Sequence, residues 1–131
     1  MLKVVLDTNI IISAALSPQG KPAKVFKIIT SDDDMELSYN YTIFAEYKKV
    51  FAYKRLNIPN EKQKEFLDAI KEEGTVREPI KSDIILPDES DRIFYDTSKT
   101  ANAYLITGNM KHYPNEDFIM TPAQFLEILE K

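Results

Sequence analysis

The chain has 131 residues, of which 44% are hydrophobic and 29% are charged, and its formal net charge is −4. These values are typical of one globular domain over residues 1–131, and they exclude a disordered or low-complexity chain. With no cysteine and a single histidine, the chain cannot form disulfides, thiolate zinc sites or a His-rich metal site. No apolar stretch approaches the roughly 20 residues of a membrane helix, and the acidic balance disfavours nucleic-acid binding through overall charge, so we expect a cytoplasmic protein without membrane contact.

Apolar residues recur along the chain at the spacings of buried strands and one-sided helices. Turn residues and helix-boundary residues divide these segments. The first half of the chain is predicted to form a strand over 2–6 with a turn of helix after it, a helix over 23–30, a strand over 35–38, helices over 42–55 and 60–72, and a strand over 75–78. The second half is predicted to form a helix over 91–101 capped by Ser90, strands over 103–107 and 118–120, and a last helix from Pro122.

Strands that alternate with helices predict an α/β fold, in which a parallel sheet carries helices on both faces. Ligands of such sheets bind at the carboxyl ends of the strands, near the point where the strand order reverses. Polar residues that directly follow a predicted strand are therefore the candidates for chemistry. The acidic run at 32–34 is interpreted instead as a solvated loop.

Asp7 follows the first strand in the segment LDTNIII, where it separates two apolar runs. A carboxylate at the end of a buried strand indicates an active site, and the alternative is a cap for the helical segment that follows. Thr8 and Asn9 could form that cap themselves, which weakens the alternative.

Glu46 lies beside the apolar face of the predicted 42–55 helix. A partly desolvated carboxylate needs a partner or a cation. A capping box is not the reason for this glutamate, because Thr42 precedes it by four residues and the motif requires three. A surface glutamate favoured by the helix dipole remains the alternative.

Asp91 falls in the first turn of the predicted 91–101 helix, where a carboxylate favours the helix dipole whether or not it is catalytic. Its neighbours Asp88 and Glu89 are interpreted as solvated loop acids, and Asp96 as a surface residue. The loop TGNMKHYP follows the 103–107 strand and offers three more polar candidates at the same edge. These are Thr107, Asn109 and His112. His112 could bind a metal, and the alternative is that it is simply a solvent-exposed loop residue.

Three carboxylates that meet at one sheet edge would repel one another unless a divalent cation neutralised them. Oxygen ligands without cysteine or paired histidines select hard ions, Mg²⁺ or Mn²⁺. Such an ion can make a water nucleophilic and bind the oxygens of a phosphodiester. The pattern therefore indicates metal-dependent phosphodiester hydrolysis.

Four segments resemble, in order and spacing, the PIN domain and specifically the small bacterial VapC-like toxins: VVLDTNIIISA, TIFAEYKKVF, DESDRIFYDTSKTANAYLITGNMKHYP and FIMTPAQFLEIL. The resemblance implies a three-layer α/β/α sandwich with a short parallel sheet. It also implies an Mg²⁺- or Mn²⁺-dependent endoribonuclease that a cognate antitoxin blocks. Carried over residue by residue, it assigns the metal and the chemistry to Asp7, Glu46 and Asp91, and the orientation of the first acid to Thr8 and Asn9.

The strand-end loop departs from the family pattern, because members commonly carry an acid where Asn109 or His112 stands. Asn109 can still supply a neutral oxygen, as an auxiliary ligand or a water-positioning group, with Thr107 and His112 in support. With one negative charge fewer, we expect low or strongly metal-dependent activity. A catalytically weak or inactive RNA- or protein-binding module is the alternative function. An aspartyl-phosphate enzyme is a further rival, although the chain lacks the second acid two residues after Asp7 that its common motif requires.

Contacts to RNA phosphates would need a local basic group, because the chain is acidic overall. The densest candidates are Lys48, Lys49, Lys54 and Arg55, for which a solvated helix face is the alternative. A homodimer is suggested by more aromatic surface than one helix face can readily bury. That surface comprises Tyr39, Tyr41, Tyr47, Phe51 and Tyr53.

Overall fold

The strands form one parallel sheet in a computed structural model that describes residues 1–130. They are β1 (Leu2–Leu6), β2 (Met35–Tyr39), β3 (Gly74–Val76), β4 (Tyr104–Ile106) and β5 (Ile119–Met120). Their order across the sheet is β3-β2-β1-β4-β5. The chain therefore builds the sheet outward from β1 on one side, then crosses to its other side for β4 and β5.

Helices connect successive strands of the parallel sheet, except that the β4–β5 connection carries a 3₁₀ turn in place of a helix. They are α1 (Thr8–Leu16), α2 (Lys21–Ser31), α3 (Tyr41–Phe51), α4 (Asn60–Glu73), α5 (Arg92–Ala101) and α6 (Pro122–Leu129), with short 3₁₀ turns at Lys54–Leu56, Glu89–Asp91 and Met110–His112. Over residues 1–130, none of these helices is long and apolar enough to cross a membrane.

Both faces of the sheet are covered, and β1 shows this directly. Its consecutive residues Val4, Val5 and Leu6 point alternately to opposite faces, yet all three are 0% exposed. Helix α5 packs across β1, β2 and β4, while α2 and α4 contact β2. The predicted α/β fold with helices on both sides of a parallel sheet is confirmed.

Two predicted element boundaries are confirmed, and the structure gives a cause for each. Helix α4 ends before Gly74, whose backbone is ordinary and extended (φ −82°); a Cβ there would clash with the Ile70 carbonyl and lie 2.7 Å from the Tyr39 ring. Glycine is thus required by close packing and not by a left-handed conformation. Helix α6 begins with a capping box, in which Thr121 and Gln124 each accept a backbone N–H from the other.

The predicted 42–55 helix is too long. Helix α3 ends at Phe51, and the chain turns extended at Tyr53 (ψ 121°) and left-handed at Asn57 (φ 52°). Lys54 and Arg55 therefore lie in a separate 3₁₀ turn. The aromatic surface is also smaller than predicted, because Tyr47 and Phe51 are fully buried and Tyr41 is the strongly exposed member of the set, at 83%.

Two predictions for the start of α5 are wrong. Ser90 is not the cap: it donates its backbone N–H and its hydroxyl to the Asp88 side chain, at 2.9 and 2.8 Å. Asp96 is not on the surface but buried, where it accepts two hydrogen bonds from Ser82, the shorter 2.6 Å long. The 77–88 segment lies over the outer side of α5 and removes Asp96 from solvent, which helical periodicity alone does not reveal.

Helix α3 is fastened to the end of β1 by a buried hydrogen bond from the Tyr47 hydroxyl to the Leu6 carbonyl. Leu6 directly precedes Asp7, so this bond helps to hold the backbone at the carboxyl edge of the sheet. The N-cap of α3, Asn40, makes a second tie: it accepts from the Ile43 N–H and donates to the Thr97 hydroxyl of α5 at 2.9 Å.

Replacing Tyr47 with Phe is expected to lower the free energy of unfolding by about 1–2 kcal/mol, because a buried carbonyl loses a hydrogen-bond donor. Chemical denaturation followed by circular dichroism measures this change. Tyr41→Phe is the matched control, since it removes a hydroxyl from an exposed ring and should alter stability by less than about 0.5 kcal/mol. Equal effects of the two substitutions would contradict the proposed tie.

Candidate active site

The candidate site lies at the carboxyl edge of the sheet, at the junction of β1 and β4. These two strands are neighbours although they are far apart in the chain, and the strand order reverses between them. Asp7 follows β1 and Thr107 follows β4, so the topology places both residues at the position where α/β sheets bind ligands.

Asp7 is 5% exposed and is held by three hydrogen bonds. Its Oδ1 accepts from the Thr8 backbone N–H at 2.8 Å, and its Oδ2 accepts from the Thr107 hydroxyl at 2.8 Å and the Tyr113 hydroxyl at 2.9 Å. Asp7 is also the N-cap residue of α1, so it occupies the cap position and the candidate site together. Burial raises the pKa of Asp7 and the three hydrogen bonds oppose that shift.

Asn9 acts on Asp7 through Thr107. Its amide nitrogen lies 3.4 Å from the Thr107 hydroxyl oxygen, and its amide oxygen accepts from the Gly108 N–H at 2.9 Å. The Asn109 N–H also donates to the Thr107 oxygen, at 3.0 Å. That hydroxyl is therefore oriented to donate to Asp7. The Thr8 hydroxyl, in contrast, is buried without a hydrogen-bond partner among residues 1–130.

Asp91 ends the 3₁₀ turn before α5 and is 9% exposed. Burial, followed by the charge of Asp7, raises the pKa of Asp91 to about 6, while the nearby His112 acts to lower it. Its Oδ2 is buried, and the His112 ring lies within hydrogen-bond distance of it. Asp7 and Asp91 thus form a pair of carboxylates that disfavour each other's ionisation.

The loop after β4 reaches Asp91 through Asn109 and His112. The Asn109 amide nitrogen lies 2.9 Å from His112 Nε2. On the other side of the ring, His112 Nδ1 lies 3.1 Å from Asp91 Oδ2. The histidine side chain is 43% exposed, so it lies at the surface of the site, partly in contact with solvent.

Tyr113 is the site residue that the sequence reasoning missed. It is buried, and its hydroxyl donates to Asp7 Oδ2. Burial, followed by the charge of Asp7, raises the pKa of Tyr113 far above its ordinary value. It therefore remains a donor at any physiological pH. Its position in the same strand-end loop as Thr107 and His112 was the available signal.

Glu46 lies half-buried on α3 and does not complete a three-carboxylate group with Asp7 and Asp91. Over residues 1–130, no three His, Cys, Asp or Glu side chains lie close enough together to enclose a metal ion. Its assignment as the third acid stays a prediction. The four basic candidates are all exposed: Lys48, Lys49, Lys54 and Arg55.

The Asp7 and Asp91 side chains have the properties of ligands for a hard divalent cation. Both offer oxygen donors, which Mg²⁺ and Mn²⁺ accept. Both are buried with raised pKa values, so a nearby positive charge would offset an existing electrostatic cost. Asp91 Oδ2 is buried and faces the His112 ring at 3.1 Å, and a cation would offset the remaining cost of burying its charge.

Comparisons with known proteins bear on the family and the fold of this chain. Residues 3–111 match the sequence profile of the PIN domain. The uncharacterized protein MJ1680 of Methanocaldococcus jannaschii is 28% identical over 149 aligned positions, which cover 99% of this chain and 93% of that protein. The fold is similar to a chain in the crystal structure of VapBC2 from Rickettsia felis bound to a DNA fragment from their promoter, with a TM-score of 0.57 and 16% identity, over 84% of this chain and 90% of that one.

The PIN domain match covers the greater part of the chain, from β1 through β4 and into the loop that follows. It includes Asp7, Glu46, Asp91 and Asn109. The chain belongs to the PIN domain family.

Proposed function

We propose that this protein is a metal-dependent endoribonuclease, acting in the cytoplasm as the toxin of a toxin–antitoxin pair. The observation that carries the proposal is the pair of buried carboxylates, Asp7 and Asp91, at the edge where the strand order reverses. Membership in the PIN domain family supports the nuclease activity. The fold shared with a chain of VapBC2 supports an antitoxin protein as the partner.

In this proposal Mg²⁺ or Mn²⁺ is held by Asp7 and Asp91, with Glu46 as the third acid and Asn109 as an auxiliary polar group. When bound, such a cation supplies Lewis-acid chemistry that favours attack of water on a phosphodiester. The protein's own part is orientation. The hydroxyls of Thr107 and Tyr113 both donate to Oδ2 of Asp7 and so fix the direction of its carboxylate.

A non-cleaving RNA- or protein-binding module is the second candidate. The observation that favours it is the presence of Asn109 and His112 in the loop where an acid is expected, together with the absence of Glu46 from a common group with the other two acids among the described residues. The two candidates differ in one measurable property, the cleavage of RNA.

Asp7→Asn and Asp91→Asn are each expected to reduce RNA cleavage in Mn²⁺ by about 100-fold or more, the low end of what a positioned catalytic group contributes. The assay uses purified protein with single-stranded and structured RNA, resolved on denaturing gels. Asp33→Asn is the matched control, because Asp33 is exposed in the 32–34 loop. Cleavage that persists unchanged in Asp7→Asn would contradict the site, and RNA binding without cleavage by the unaltered protein would favour the binding module.

Asp91→Asn should also stabilise the metal-free protein at neutral pH. The folded-state pKa of Asp91, about 6, lies above its ordinary value of 3.8. The stability that this group contributes is therefore present at pH values below the ordinary pKa and is lost as pH rises through about 6. At neutral pH we expect Tm to be higher in the variant by about 3–5 °C, which roughly 1 kcal/mol produces in a chain of this size.

Thermal unfolding in chelator, measured at several pH values, tests this expectation. The difference in Tm between the variant and the unaltered protein should be smallest at acidic pH and grow as pH rises. Added Mn²⁺ should then raise the Tm of the unaltered protein more than that of the variant. A difference that does not change with pH would show that Asp91 ionises in the folded protein as it does in the unfolded chain.

RNA phosphates are proposed to contact the exposed basic group at the end of α3 and in the turn after it. The double variant Lys48→Ala/Lys49→Ala should reduce the salt dependence of RNA binding. The slope of log K against log salt should become shallower by up to about 1.4, because each lost contact to a single-strand phosphate removes about 0.7. Binding is measured by fluorescence anisotropy in chelator, so that cleavage does not interfere. Lys24→Ala/Lys27→Ala removes two exposed charges from α2 and is the control; an equal loss of slope there would point to non-specific charge.

A further inference from the structure

A stripe of polar side chains joins one face of α5 to the 77–88 segment. Its members are spaced four residues apart, so they lie on the same face of the helix; they are Arg92, Asp96 and Thr100. Four residues of helix rise about 6 Å, and two residues of extended chain span about 6.6 Å. The polar stripe can therefore meet every second residue of an extended segment that runs antiparallel to the helix.

The hydrogen bonds follow this match. At the far end of the polar stripe, the Thr100 hydroxyl accepts from the Ile80 N–H at 2.9 Å. In the middle, Asp96 accepts from the backbone N–H and the hydroxyl of Ser82. The near end is Arg92, the first residue of α5 and the neighbour of Asp91.

Arg92 binds two parts of the chain at once, with a side chain that is only 14% exposed. Its Nη1 donates to the carbonyl and hydroxyl oxygens of Ser82, at 2.9 and 3.0 Å, and its Nη2 donates to the Ile84 carbonyl. Its Nε and Nη2 also donate to the two carboxylate oxygens of Glu89, each at 2.6 Å. The guanidinium group thus fastens the 77–88 segment to the start of the 3₁₀ turn Glu89–Asp91.

Asp91 ends that turn, so the contacts of Arg92 hold the backbone on both sides of it. Such support is needed because the charge of Asp7 opposes the charge of Asp91, and repulsion favours a wider separation of the two groups. Over residues 1–130, the ion pairs of Arg92 are with Glu89 and, at 4.0 Å, with Asp96, and not with Asp91. Arg92 therefore acts on Asp91 through the backbone of the turn.

We propose that Arg92 is a positioning residue, which holds the Glu89–Asp91 turn against the 77–88 segment and so keeps the Asp91 carboxylate beside Asp7. This inference rests on the proposed function, which gives Asp91 a part in the reaction. The 77–88 segment is then a support of the site as well as a connection between β3 and α5.

His112 reports on the position of Asp91 without RNA or a cation. Its Nδ1 lies 3.1 Å from Asp91 Oδ2, and it is the chain's one histidine. The measurement is the ¹H–¹⁵N spectrum of the imidazole in the whole chain, produced without a histidine tag and kept in chelator at one fixed pH. Arg92→Gln is expected to shift the ring nitrogen signals toward those of Asp91→Ala.

Two further variants define what Arg92 contributes. Arg92→Lys keeps the charge but not the planar fork of donors, so it should shift the signals as well. Glu89→Ala removes the other half of the contact from a side chain that is 69% exposed; it is expected to fold and to shift the signals in the same direction, and it carries the test if Arg92→Gln unfolds.

Thr100→Val is the matched control. It removes a hydrogen bond between α5 and the same segment, at the end of the polar stripe that is remote from Asp91. The His112 signals should therefore stay in place in this variant. An equal shift in Thr100→Val would show that general loosening of the segment, and not Arg92, moves the signals, and it would overturn the inference.

RNA cleavage in Mn²⁺ gives a second measurement. Arg92→Gln should lower kcat per folded molecule by about tenfold to 100-fold, the effect that a displacement of about 1 Å can have. KM should remain nearly unchanged, because the Arg92 side chain faces the 77–88 segment and not the solvent. Circular dichroism gives the folded fraction, and Thr100→Val should keep the kcat of the unaltered protein.

The outcomes separate this inference from the proposed function. If the unaltered protein does not cleave RNA, the proposed function fails, while the His112 spectra still decide the role of Arg92. If the His112 signals stay in place in folded Arg92→Gln and in Glu89→Ala, Arg92 does not position Asp91. A kcat per folded molecule that is unchanged in Arg92→Gln would overturn the inference as well.

Discussion

The buried carboxylate of Asp7 is the constraint on which the rest of the site depends. A charge placed at the end of a strand whose last three residues are fully buried is unfavourable unless donors surround it. Three donors do so, and they come from the backbone of α1, the end of β4 and the loop beyond it. The position of Asp7 thus requires the pairing of β1 with β4 and the folding of the strand-end loop over their edge.

The same burial explains the electrostatics of the second acid. Asp91 lies close enough to Asp7 for one charge to oppose the other, and His112 only partly offsets the cost of burying it. The polar groups next to it are an imidazole and an amide, in a loop where a carboxylate is expected. A site built in this way has an electrostatic cost that a cation can relieve.

Local rules predicted those elements whose causes are local. The capping box at Thr121 lies at a boundary that the sequence pattern places correctly. Gly74 also ends its helix where predicted, although the distant Tyr39 ring is part of the reason that no side chain fits there. Errors arose where a distant segment decides the outcome. Asp96 has the spacing of a surface residue, but the 77–88 segment covers it and Ser82 satisfies its carboxylate. Lys54 and Arg55 continue a helical pattern that the backbone at Tyr53 interrupts.

By itself, the sequence determined that a buried strand ends in a carboxylate at Asp7, that strands alternate with helices, and that further polar residues follow the later strand, because hydrophobic periodicity and turn residues are local properties. Only the tertiary structure decided which groups meet that carboxylate. Tyr113 donates to Asp7 across 106 residues of chain, and Glu46 does not join the two other acids in one group of the described residues. Such contacts depend on strand order and on the path of a returning loop, which no local pattern specifies.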